Sequence, residues 1–477
     1  MTFEGALSIA LPELILSIGA LALLALGAFL GNKSTRLIAS GAGLVLVVAA
    51  AAAVLGPRGA AFHGGFVQDA AAVYSKVVIY LISAVGILLG EPWLKRVKNS
   101  RFEYPVLILL AALGMGMMAS AGDLISSYIG VELQSLALYV MAAFQRDDSK
   151  ASEAGLKYFI LGALSSGILL YGASLIYGFA GSTRFVDISA AVHAGAGTGV
   201  IFGVVFLMCG IAFKASAAPF HMWTPDVYEG APTPVVAFMT AAPKMAALVL
   251  FARVLENGFP GAVKQWSQVL IAIAIISMVW GAFAGLAQKN LKRLWAYSSI
   301  ANVGYALVGL STGTQEGVQS MLVFMTLYLI DVTGFFACLT ALSRDGRPME
   351  KFEDMAGLMK ERPGIALCMT AFALSGLGLP PFSGFWGKVY VFKAAADANL
   401  GWLAALGLLS SVVAAFYYLR LIKTMWFDPP AGRTDAAPMD ARGVAFAAAA
   451  FSFPVVLPAL ALLDPLSRAA ASAFGLN

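Results

Sequence analysis

Apolar runs of about twenty residues recur along this chain from Ala6 to Leu463, separated by short polar connections. They fall at 7–30, 37–55, 70–89, 105–121, 124–144, 155–180, 198–222, 234–255, 265–287, 294–311, 317–343, 363–397, 400–427 and 442–463. An α-helix rises about 1.5 Å per residue, so runs of this length suit a hydrocarbon core of ~30 Å. The pattern predicts an all-α membrane protein of about 14 transmembrane helices, forming a single polytopic domain over residues 1–477. The longest polar connections, Arg344–Pro363 and Asp428–Arg442, are too short to fold alone. A composition of 60% hydrophobic and 12% charged residues excludes a water-soluble globule.

Charge adds an orientation. Of the 31 basic residues, 21 lie in the connections after odd-numbered helices and 6 on the opposite side. Under the positive-inside rule both termini are expected outside the cytoplasm. The first run has no basic segment before it and no small-residue cleavage site after it, so it is expected to stay as a helix. The net charge of +5 is dispersed over short loops, which argues against nucleic acid as a partner.

The four remaining basic residues, Lys76, Lys214, Lys244 and Lys388, lie inside apolar spans, where ionisable groups are costly and mark functional candidates. Lys214 stands near the end of the seventh span, before Pro219, which cannot donate to the carbonyl of Ala215. A helix break there would free backbone groups that need a protein or water lining. Lys244 follows Pro243 at the centre of the eighth span. Lys388 follows the tandem Pro380 and Pro381 of the twelfth span by two turns. Glu132 is the best mid-span acid, in the fifth run.

Broken helices 7 and 12 in corresponding places suggest two inverted five-helix repeats, helices 4–8 over 105–255 and helices 9–13 over 256–427. Helices 1–3 over 1–104 would precede them, and helix 14 within 428–477 would follow. Lys76 is expected to snorkel toward the nearer surface. Asp331 and His221 are secondary candidates, each open to a relay or a merely structural reading. Cys209, Cys338 and Cys368 lack the spacing of a metal or cluster site. No P-loop or dinucleotide fingerprint is present, so no cofactor or metal site is expected in this chain.

Three stretches carry a family pattern: FKASAAPFHMWTPDVYEGAPTPVVAFMTAAPKMAA (213–247), LAQKNLKRLWAYSSIANVGY (286–305) and GLPPFSGFWGKVYVF (378–392). They closely resemble the antiporter-like membrane subunits of respiratory complex I, the NADH–quinone oxidoreductase, over nearly the whole chain. The resemblance implies a mid-membrane proton path through Glu132, Lys214, Lys244 and Lys388, in a translocase subunit without its own redox site. It further implies that NADH, FMN, iron–sulfur clusters and quinone belong to partner subunits, and that the chain sits among other complex I membrane subunits. The expected location is the bacterial inner membrane, with lipid around the chain and protons as cargo. A subunit of a multisubunit sodium/proton antiporter is the alternative, and a packing scaffold with dispensable charges is a third reading.

Overall fold

The computed structural model describes residues 3–195 and 197–475. In chain order the helices are α1 (Phe3–Ile9), α2 (Leu11–Leu30), α3 (Thr35–Leu55), α4 (Ala70–Arg96), α5 (Glu103–Ala119), α6 (Leu124–Ala142), α7 (Ser149–Ala180), α8 (Phe185–His193), α9 (Thr198–Ala215) and α10 (Thr224–Gly230). They continue as α11 (Thr233–Ala252), α12 (Val263–Leu286), α13 (Leu291–Leu310), α14 (Gln315–Ala341), α15 (Leu358–Glu361), α16 (Pro363–Leu377), α17 (Ser383–Asp397), α18 (Gly401–Phe427), α19 (Met439–Ala450) and α20 (Val456–Ser472). A hairpin of β1 (Gly59–Ala61) and β2 (Phe66–Gln68) closes one end of the bundle. A shorter one, β3 (Ser343–Arg344) with β4 (Arg347–Pro348), lies at the other.

Every expected apolar run coincides with one of these helices or with a divided pair. Among the described residues, ten helical segments are long and apolar enough to cross a membrane, the first being the stretch Leu11–Leu55. Polar caps mark the ends: the side chains of Asp69, Asp123, Asn290 and Thr314 accept backbone N–H groups in the first turns of α4, α6, α13 and α14. The twelfth run is divided as expected, into α16 and α17, and the helix of the seventh run stops at Ala215, short of the expected residue 222, with the short α10 following from Thr224. The last run, expected to be continuous over 442–463, also divides, because Phe453 leaves helical geometry ahead of Pro454. By contrast α11 runs unbroken through Pro243, which leaves one missing donor in an otherwise complete helix.

Burial follows hydropathy in an informative way. All residues of α11 are buried, and α13 and α14 nearly so, as expected of helices apolar around their whole circumference. These central helices carry Lys244, Ser299 and Asp331. The peripheral helices α2, α3, α7, α12 and α18 turn Ile18, Leu44, Leu164, Phe283 and Val412 outward, the pattern of a surface facing lipid or apolar partners. Glycines allow the closest approaches: a Cβ added at Gly114 of α5 would come within 2.7 Å of the Gly130 carbonyl of α6.

Candidate functional site

The first half-site is built on the break after α9. The helix stops because Ser216 takes a left-handed conformation (φ 66°, ψ 31°), which is strained for a residue with a Cβ. The Ala212 carbonyl then accepts Ala217 N–H at 2.8 Å, and the Phe213 carbonyl accepts both Ser216 N–H and the Trp223 indole N–H. Lys214 lies in this last turn, at the carbonyl end that favours a cation. Its Nζ donates to Ser135 Oγ at 2.7 Å and Tyr139 Oη at 3.3 Å, both on α6. These partners follow Glu132 by three and seven residues and share its helix face. Glu132 itself is half-buried and accepts a hydrogen bond from Ser166 of α7. Glu132 and Lys214 are therefore gathered onto one face of α6, with Ser135 between them, and form no ion pair among the described residues.

At the centre, Lys244 is buried, donates to Ser299 of α13 and lies 5.8 Å from the Tyr228 ring centroid. The third lysine uses the second break. Helix α16 ends where Gly378 turns left-handed (φ 89°); the Leu374 carbonyl accepts the N–H groups of both Gly378 and Leu379, and the Ser375 carbonyl accepts that of Gly378. The last two carbonyls, of Gly376 and Leu377, accept Lys388 Nζ at 2.9 and 3.0 Å. Lys388 thus reaches back from α17 to cap the other half of its own broken helix, and also donates to Ser411 Oγ at 2.6 Å.

The three lysines share a pattern of neutral partners. Each donates to one serine hydroxyl, of Ser135, Ser299 or Ser411. Each also lies within 6 Å of a tyrosine ring, that of Tyr139, Tyr228 or Tyr305. Among the described residues none of them has a carboxylate within 4 Å. Lys76 is the contrast and a correction. It does not snorkel: it is fully buried and ion-paired to Glu13 at 2.6 Å, with Gln68 Oε1 also at 2.6 Å. Counting turns from the end of a span gives depth but not neighbours, and α2 and β2 cover Lys76. The ion pair joins α4 to α2, which sets Lys76 apart from the three lysines that meet hydroxyls instead.

Asp331 lies in α14, hydrogen-bonded to Ser375 and Ser383, and lines a small cavity together with Lys388. His221 stays apart from the lysines, its ring 6.0 Å from that of Trp280. Sequence reasoning missed the serine and tyrosine partners, although Ser135 and Tyr139 were legible as same-face neighbours of Glu132. It also missed Glu13, an acid in the first apolar run.

Three buried lysines without a carboxylate partner among the described residues, two beside divided helices and one in the unbroken α11, sit in the bundle of a multi-pass membrane subunit. Residues 121–414 match the family model described as NADH:quinone oxidoreductase/Mrp antiporter, TM, and the chain belongs to this family. It is 67% identical over 482 aligned positions to the "NADH-quinone oxidoreductase subunit N" of Caulobacter sp. (strain K31), covering 100% of both chains. A chain of respiratory complex I from Thermus thermophilus superposes with a TM-score of 0.81 at 35% identity, covering 96% of this chain and 99% of that one. A chain of the Mrp complex from Dietzia sp. shares the fold with a TM-score of 0.86 at 22% identity, covering 99% and 98%.

Proposed function

We propose that this chain is a proton-translocating membrane-arm subunit of a bacterial NADH–quinone oxidoreductase, driven by redox chemistry in other subunits. The observation that carries the proposal is the shared environment of Lys214, Lys244 and Lys388: buried, hydroxyl-bonded and, among the described residues, without a counter-ion. A lysine amine takes up and gives up a proton, and among the described residues no carboxylate lies within 4 Å to fix its charge, so each lysine is suited to exchange protons. Glu132 supplies the movable negative charge at one end. Bringing its carboxylate toward Lys214 favours the protonated lysine, and drawing it away favours release. Lys244 then passes the proton toward Lys388.

The cofactors, NADH, FMN, iron–sulfur clusters and quinone, belong to the partner subunits on this reading. The partners are other membrane subunits of the complex, and the chain sits in the inner membrane with both termini on the periplasmic side. The two divided helices, one broken after Ala215 and the other after Leu377, support reading the expected spans 4–8 (105–255) and 9–13 (256–427) as inverted repeats. The kinship with an Mrp chain keeps a sodium/proton antiporter subunit as the competing function.

Two preparations separate these readings. Affinity purification of the tagged chain from native membranes is expected to bring down NADH oxidation with quinone as acceptor. The isolated chain, placed in liposomes with an internal pH dye, is expected to show no sodium-dependent proton exchange. Robust exchange by the isolated chain, with no NADH oxidation in the purified assembly, would overturn the proposal in favour of the antiporter.

A further inference from the structure

Asp331 stands where three elements meet. Its Oδ2 accepts hydrogen bonds from Ser375 Oγ in the last turn of α16, at 2.5 Å, and from Ser383 Oγ at the start of α17, at 2.6 Å. Ser383 Oγ lies 2.9 Å from Ser452 Oγ in the kink between α19 and α20. Ser375 Oγ also takes the Gly384 N–H at 2.7 Å. One carboxyl group therefore ties both halves of the broken helix to the bent C-terminal helix. Its other oxygen, Oδ1, is buried and has no hydrogen-bond partner among the described residues. A buried carboxylate oxygen left bare is unfavourable, and a water or a proton relieves it.

Space for the first is at hand. Asp331 and Lys388 line the same cavity of about 30 Å³, enough by volume for roughly two waters. Tyr328 and Tyr418 are the other titratable groups on its wall, and Asn302 and Ser298 add polar atoms from α13.

We infer that Asp331 exchanges protons with Lys388 across this cavity, making it the acid partner of the second broken helix; the inference rests on reading Lys388 as a proton carrier. In the forward step an N–H bond of the Lys388 ammonium breaks and its electron pair stays on nitrogen. The proton passes along the intervening water, and an O–H bond forms at Oδ1. The lysine becomes a neutral amine and the carboxylate a neutral acid, so the net charge of the cavity does not change. Conserving charge matters in a site of low dielectric, where creating a lone ion is costly. Neutral Asp331 also gives up its charge-assisted bonds to Ser375 and Ser383, and neutral Lys388 binds the Gly376 and Leu377 carbonyls less strongly. The transfer thereby loosens both contacts that hold the break.

The test uses the assembled complex in proteoliposomes, with Asp331→Asn, Asp331→Glu, Lys388→Ala and the double variant Asp331→Asn/Lys388→Ala. Protons translocated per NADH are measured across a range of pH. Asp331→Asn is expected to lower the ratio as far as Lys388→Ala does, the double variant no further, and Asp331→Glu to retain pumping with a displaced pH profile. A fully pumping Asp331→Asn beside an impaired Lys388→Ala would overturn the role of Asp331 and leave the proposed function standing. Full pumping by Lys388→Ala would instead remove the reading on which the inference rests. If Asp331→Asn does not assemble, Asp331→Glu decides: a displaced profile supports proton exchange, and an unchanged profile overturns it.

Discussion

Lys76 and Glu13 offer a perturbation whose size follows from the geometry. Their charged atoms are 2.6 Å apart, Lys76 has no exposed surface, and the Glu13 side chain is 8% exposed. At that separation and an effective dielectric of about 20 the gross attraction is ~6 kcal/mol, most of it offset by the cost of taking both charges out of water. Replacing Glu13 by glutamine removes the attraction and keeps the cost, leaving Lys76 with Gln68 Oε1 and the Phe66 ring 4.7 Å away. The expected loss is about 3–5 kcal/mol. The double variant Glu13→Gln/Lys76→Met removes the buried charge as well, and should recover most of that loss. The readout is the temperature at which this chain dissociates from the detergent-solubilised complex, with NADH-driven pumping measured on whatever assembles. A Glu13→Gln complex as stable as wild type would refute the reasoning. So would a fully assembled double variant that had lost pumping, since Lys76 would then be carrying protons rather than holding α2 against α4.

Three further outcomes are expected. Lys214→Ala should slow proton transfer by on the order of 10²-fold, and Glu132→Gln should do so more mildly because it removes only the charge that assists Lys214; equal pumping by both variants and wild type would contradict the switch. Ser299→Ala should assemble, because it opens little volume, yet shift the pH dependence of pumping by removing the hydroxyl partner of Lys244; an unchanged profile would show that the hydroxyl is idle. In intact cells a single cysteine near Lys351, in a chain stripped of Cys209, Cys338 and Cys368, should resist a membrane-impermeant thiol reagent, and its ready labelling would invert the topology.

The spans were legible because hydropathy acts on every residue of a membrane helix. The breaks after Ala215 and Leu377 were legible because proline removes a donor at a fixed place. Lys214, Lys244 and Lys388 stood out for the same reason: an ammonium inside an apolar run needs a reason to be there. Which lysine meets which partner was not legible. A serine within an apolar helix commonly bonds its own preceding turn, as Ser135 does to the Val131 carbonyl at 2.5 Å. Nothing local says that the same hydroxyl also meets Lys214 from 79 residues away. Lys76 was misread because its partner sits on a different helix, and the kink at Phe453 was missed because the apolar run continues unbroken through Pro454. Asp331 could be seen as a buried acid, but its link to Lys388 depends on how α14 packs against α16 and α17.

The central claim is that hydroxyl-bonded lysines without a carboxylate partner among the described residues carry the protons, and Lys244 tests it most directly because it is the most enclosed of the three. Complexes carrying Lys244→Met, reconstituted in sealed vesicles with a pH dye, should oxidise NADH with quinone as acceptor yet acidify the lumen far less per NADH than wild type. Wild-type acidification per NADH by a fully assembled Lys244→Met complex would contradict the account.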